Sequence, residues 1–158
     1  MKKILKKSLL ILLLLVIVFP TTILTACKKD EKAQEFYDYA VTAKAALDNL
    51  ADETTTVMYT VTYNPYGIDL EVFTNLSKAT LDKKRAVVKN DYTTLSELCD
   101  NTQESSLHVK VKTVFYAFED YANCVFKMEG SYSSFTSKKE LYERELRDSL
   151  LELELALS

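Results

Sequence analysis

The chain has 158 residues with 20 basic and 23 acidic side chains, two glycines, two prolines and no tryptophan. That length suits one domain with a core of its own, and the slightly acidic balance excludes the electrostatic footprint of a nucleic-acid binder. So few turn-forming residues weigh against sheets and long loops and favour helices.

The first stretch reads as a leader. Lys2, Lys3, Lys6 and Lys7 make a positive start, Leu9 to Phe19 is unbroken apolar, and Pro20 stops any helix there. About eleven such residues reach roughly 16 Å at 1.5 Å each, short of the ~30 Å hydrocarbon layer, so a cleaved secretion leader is a better reading than a retained span. The leader closes on Leu24-Thr25-Ala26-Cys27, two small residues between a leucine and a cysteine. These four resemble the lipobox of bacterial lipoproteins. The resemblance implies that the Cys27 thiol carries a lipid, that residues 1–26 are removed, and that the chain is anchored on the outer face of the cell membrane. Lys28 stands where two-membrane bacteria place the aspartate that retains a lipoprotein at the inner membrane, which leaves the outer membrane open to it in such a host.

Without the leader the balance is 16 basic to 23 acidic residues, a net charge of −7. Charge then does not hold the domain to anionic lipid, and the lipid on Cys27 is the tether. The expected partners are the membrane, through that lipid, and a protein or envelope component; no nucleic acid and no cofactor is expected. Residues 27–32, charged after the cysteine and lacking apolar side chains there, form the tether, and 33–158 the helical domain.

Phe36, Tyr37, Ala40, Ala43, Leu47, Leu50 and Ala51 recur every three or four residues and define the first helix, expected over 31–62. Thr54 to Tyr63 is β-branched and alternates Val57, Tyr59, Val61 and Tyr63, a strand-like pattern that Leu107 to Val111 could pair with. The helical phase also runs on through Met58 and Val61, and helix is the preferred state for both segments. Asn64-Pro65-Tyr66-Gly67 is a turn. A second helix is expected over 68–98, with a weak phase at Asn90-Asp91-Tyr92 and a capping-box spacing at Thr94 and Glu97 that marks a potential break.

A polar loop precedes the third helix, expected over 106–129, where Val111, Val114, Phe115, Phe118, Tyr121, Ala122 and Val125 give the strongest amphipathic pattern and Gly130 a stop. Residues 131–136 read as a loop. Ser137 and Glu140 have capping-box spacing, so the last helix is expected over 138–157. The fold expected from these elements is all-α, an antiparallel four-helix bundle.

Cys99 and Cys124 enter an oxidising compartment if the leader is removed, which invites a disulfide. In a simple helical hairpin, however, Cys99 lies at the turn and Cys124 about 27 Å up the partner, against the ~7 Å a disulfide allows, so free thiols are preferred. His108 is the single histidine, and no metal-ligand spacing accompanies it; a helix-start role is expected and no metal site. Glu140, Glu143, Glu145, Asp148, Glu152 and Glu154 read as a solvated helix face rather than a catalytic carboxylate pair.

Ten tyrosines remain to be explained. Tyr59, Tyr63 and Tyr66 cluster near the first turn, and Tyr132 with Phe135 in the last loop, so these five are the candidate binding surface, with packing at helix ends as the alternative. The functional expectation is a non-enzymatic, lipid-anchored binding module of the bacterial cell envelope. The alternative is a lipoprotein that holds an apolar or aromatic small molecule between its helices.

Overall fold

The computed structural model describes residues 30–158; the leader and Cys27, on which the lipobox resemblance falls, lie outside the described residues. Four helices follow one another: α1 Glu31–Tyr63, α2 Leu70–Asn101, α3 His108–Lys127 and α4 Tyr132–Leu157. Residues 32–158 form one unit.

The direction of each helix is fixed by side chains that meet across it. Tyr39 near the start of α1 donates to Asp91 towards the end of α2 (2.9 Å), whereas Glu53, further along α1, takes Lys84, earlier in α2 (3.2 Å). Tyr92 meets Phe115 on α3 (ring centroids 5.3 Å apart) while the earlier Lys89 meets the later Phe126. Lys110 near the start of α3 approaches Glu152 near the end of α4 (3.8 Å), and Asp52 of α1 pairs with Lys139 near the start of α4 (2.7 Å). Every neighbouring pair is therefore antiparallel, the up-down-up-down arrangement expected of short connections.

The apolar stripe of each helix faces this common axis. Phe36, Leu47 and Leu50 from α1, Val88 and Leu95 from α2, Phe118 and Tyr121 from α3, and Leu146 and Leu153 from α4 are fully buried and form one core. The interior is lined by large, fully buried side chains, and two hollows lie at helix seams, one between α3 and α4 and one between α2 and α3.

The β-branched run at 54–63 is helical throughout, as is the segment from His108 onward that a strand there would need. Tertiary packing overrides propensity here, because Thr54, Val57 and Thr60 fall at three-residue steps on the buried face. Thr55 and Thr56 satisfy their hydroxyls on the carbonyls four residues back, at Ala51 (2.7 Å) and Asp52 (2.9 Å). The helix stops where Asn64 adopts a left-handed conformation (φ 39°) and Pro65 follows; the Asn64 side chain then donates to the Ile68 carbonyl and accepts from its N–H. Asp69 caps α2, accepting from the N–H groups of Glu71 and Val72 (2.9 and 3.2 Å).

Two boundaries correct the sequence expectation. α2 does not break at Asn90–Tyr92: the weak apolar phase there arises because Asp91 and Tyr92 make their interhelical contacts through polar atoms, to Tyr39 and Glu119. And α4 starts at Tyr132, not at 138. Ser131 is its cap, accepting from the Ser134 N–H (3.2 Å), so the pair Ser137 and Glu140 falls inside a helix that has already begun. Among the described residues, no helix is long and apolar enough to cross a membrane.

Candidate functional site: the tyrosine tip

In an up-down bundle the first and third connections share one end. The final turns of α1 therefore meet the first turn of α4, and three of the predicted tyrosines come together. Ring centroids lie 5.1 Å apart for Tyr59 and Tyr63, 5.5 Å for Tyr59 and Tyr132, and 5.7 Å for Tyr63 and Tyr132. The two contacts to Tyr132 are edge-to-face, the geometry the ring quadrupole prefers. Tyr59 and Tyr63 remain 40% and 57% exposed, so the cluster is ordered by mutual contact yet open to solvent.

Tyr66 lies in the adjoining turn, 79% exposed, and takes part in none of these ring contacts. Phe135 departs from the expectation. With α4 beginning at Tyr132, it faces inward, 1% exposed, and is a packing residue rather than part of a surface.

The surroundings of the cluster have a distinct composition. No charged residue occurs from Thr54 to Ile68 or from Gly130 to Ser137, and these are the two segments the fold joins. A chain whose helices are otherwise densely charged thus ends in a neutral patch of tyrosine, threonine, serine and asparagine. Rigid phenols supply contact area at low entropic cost and the small hydroxyls supply adaptable hydrogen bonds, the combination that recurs in binding loops.

The other sequence candidates are scattered. Cys99 and Cys124 are both free. Cys99 is buried near the end of α2, and Cys124 sits in the last turn of α3, sixteen residues or about 24 Å along the helix from the connection that follows Cys99. Burial pushes both thiols above their ordinary ionisation range. Cys124 borders a hollow of about 230 Å³ between α3 and α4, with Phe135, Lys138 and Tyr142.

His108 starts α3 and joins the loop before it. The Thr102 hydroxyl lies 2.7 Å from the Cys99 carbonyl and 2.9 Å from the His108 Nδ1, so it bridges the end of α2 and the histidine ring, the direction of the second bond following the ring tautomer. The histidine is a loop fastener. Among the described residues, no group of three or more histidine, cysteine, aspartate or glutamate side chains is placed to hold a metal ion. The α4 carboxylates are exposed except Glu143, which is half-buried.

One buried polar feature has no counterpart in the sequence expectations. Tyr121 of α3 is fully buried, and its hydroxyl approaches the Asp48 carboxylate of α1 without hydrogen-bond geometry, so that neither the hydroxyl nor the Asp48 Oδ1 has a well-formed partner. Burial first, then the negative charges of Asp48 and Glu143, hold the phenol neutral far above its ordinary ionisation range. Asp48 is fastened through its other oxygen to Lys44 (2.6 Å). A neutral, enclosed phenol beside carboxylates has no open face for a reactant.

The chain matches no family model, no curated protein and no solved structure.

Proposed function

We propose that the protein is a non-enzymatic, lipid-tethered interaction module of a bacterial cell envelope, which engages a protein or envelope polymer through its tyrosine tip. The observation that carries this is the position of the tip. The chain enters the bundle at the start of α1, four residues after Cys27, and Tyr63 closes the same 33-residue helix about 48 Å away. A lipid on Cys27 would hold the entry end at the membrane and present the neutral aromatic end away from it. The filled core favours this function over a ligand enclosed along the bundle axis.

Photo-crosslinking in the cells that make the protein tests it. A benzoylphenylalanine at Tyr66 is expected to form an adduct, and the same group at Val109, exposed at the opposite end, is not. The Tyr66 adduct should disappear with Tyr59→Ser and Tyr63→Ser, and it should be insensitive to salt because the patch carries no charge. Equal adducts at both ends, or an adduct that survives the serine variants, would overturn the proposal. The tether has its own test: Cys27→Ala should abolish labelling by radioactive palmitate and cleavage of the leader, and unchanged processing would refute it.

A further inference from the structure

The tip also holds the reactants of a chemistry internal to the chain. Of the ten tyrosines, only Tyr59, Tyr63 and Tyr132 meet one another ring to ring. The other seven pack against the core or, like Tyr66 and Tyr116, are exposed without a tyrosine beside them. Tyr132 is the shared member of the trio. Its ring centroid lies 5.5 Å from that of Tyr59 and 5.7 Å from that of Tyr63, so it contacts both across the seam of α1 and α4. Tyr59 and Tyr63 are 40% and 57% exposed and Tyr132 is half-buried, which leaves the cluster open to a reagent in solution.

Two phenols in contact are the reactants of one particular bond, the carbon–carbon link between the ring positions next to the hydroxyls. With a bond of about 1.5 Å and ring radii of about 1.4 Å, the coupled rings have centroids roughly 4.3 Å apart. The two contacts of Tyr132 need to close by little more than about 1 Å, and exposed rings reorient within nanoseconds. Competing sinks for an oxidant are few. The chain has no tryptophan, Cys99 is 5% exposed, and burial holds the thiol of half-buried Cys124 protonated. Outside the cytoplasm, where the lipobox resemblance sends the chain, the reducing thiols that would quench a tyrosyl radical are scarce.

We propose that the tip is a site of oxidative tyrosine coupling, in which Tyr132 of α4 becomes bonded to Tyr59 or Tyr63 of α1 when hydrogen peroxide, acting through a haem peroxidase, is the oxidant. Each phenol gives up one electron and its hydroxyl proton. The two phenoxyl radicals then join through their ring carbons, and the hydrogen on each joined carbon moves to the neighbouring oxygen, which restores both phenols. The chain loses two hydrogen atoms, and one peroxide becomes two waters. The new bond closes a loop of roughly 70 residues and fastens the start of α4 to the end of α1. It does not depend on the tip having a partner, and crosslinking from Tyr66 reads that partner separately.

The full lipidated chain in detergent, treated with a haem peroxidase and limiting hydrogen peroxide, tests this through dityrosine fluorescence and mass spectrometry of the digested product. A monomer two hydrogens lighter is expected, with Tyr132 in the crosslinked peptide and a higher urea midpoint than the untreated protein. Tyr132→Phe keeps the ring but cannot couple, and with unchanged circular dichroism it should lower the yield about tenfold or more, because the reaction draws on rings already in contact. Tyr66→Phe and Tyr116→Phe should leave the yield unchanged, and chain unfolded in urea should lose the preference for Tyr132. The same peptide is expected in protein taken from peroxide-challenged cells. Undiminished coupling in Tyr132→Phe would overturn the proposal. So would products that are only chain-to-chain dimers, one pattern for native and unfolded chain, or absence of the bond from the challenged cells.

Discussion

Replacing Tyr121 with phenylalanine should stabilise the protein, and by an amount that grows with pH. The hydroxyl is fully enclosed and approaches the Asp48 carboxylate without reaching hydrogen-bond geometry, and an unmet buried polar group costs about 1–3 kcal/mol, so its removal at pH 8 is expected to gain about 1 kcal/mol. The pH dependence follows from the ionisation. In the folded state the phenol stays protonated far above its ordinary value of 10.0, while in the unfolded chain it loses its proton near that value. Above pH 10 the folded state therefore binds one more proton than the unfolded state, and stability falls as pH rises, by about 1.4 kcal/mol per unit. The phenylalanine variant lacks this loss. Its advantage should widen from about 1 kcal/mol at pH 8 to somewhat above 2 kcal/mol at pH 11. Tyr37 and Tyr92, also raised first by burial, add an alkaline slope common to both proteins, which cancels in the difference. Urea denaturation followed by circular dichroism at pH 8, 10 and 11 measures the gap. A gap that does not change with pH refutes the ionisation argument, and a variant less stable at pH 8 shows that the hydroxyl has a bonded partner, such as a bridging water to Asp48.

Other consequences are as direct. Asp69→Ala removes the acceptor of two N–H groups at the start of α2 and should cost about 1 kcal/mol in urea denaturation, with Asp69→Asn recovering most of it. Gly130→Ala should destabilise as well, because φ is 91° there and a methyl group would collide with the Ser134 hydroxyl; a lowered denaturation midpoint with unchanged helix content checks it. Of the two thiols in the bundle, Cys99 is 5% exposed and Cys124 half-buried, so in a Cys27→Ser background a disulfide-exchange reagent should titrate one thiol in the native protein, absent when Cys124→Ser is added, and two in denaturant.

The helices were legible where apolar residues mark the buried face, as in α1 before Asp52 and through α3, and least legible where contacts are made by polar atoms. Tyr39, Asp91, Tyr92 and Glu119 tie three helices together by hydrogen bonds, and a hydrophobic period cannot register them. The start of α4 was misplaced because a capping box at Ser137 and Glu140 has a stronger signature than the lone Ser131 that is used; the inward phase of Phe135, Tyr142 and Leu146 was the available sign that the helix begins earlier. The hollow on the α2–α3 seam also left a trace, the small Ala122 among larger buried side chains of α3, which only a facing helix turns into space.

The tip differs from these, because its assembly requires no register at all. Each helix crosses the bundle once, so the connection after Tyr63 and the one before Tyr132 must share an end, and the connection around Thr102 must lie at the end where the chain enters. Helix count and direction alone bring two charge-free windows of the sequence together. What register adds is the ring contact that keeps Tyr59 and Tyr63 in place while half-exposed, which lowers the entropic cost of binding through them. Exposed phenols at the tip serve no packing need of the core, whose large side chains are satisfied elsewhere along the axis. Their mutual order without burial is the property that a surface kept for a partner requires, and it is why tip substitutions such as Tyr63→Ser should spare the fold while removing the proposed interaction.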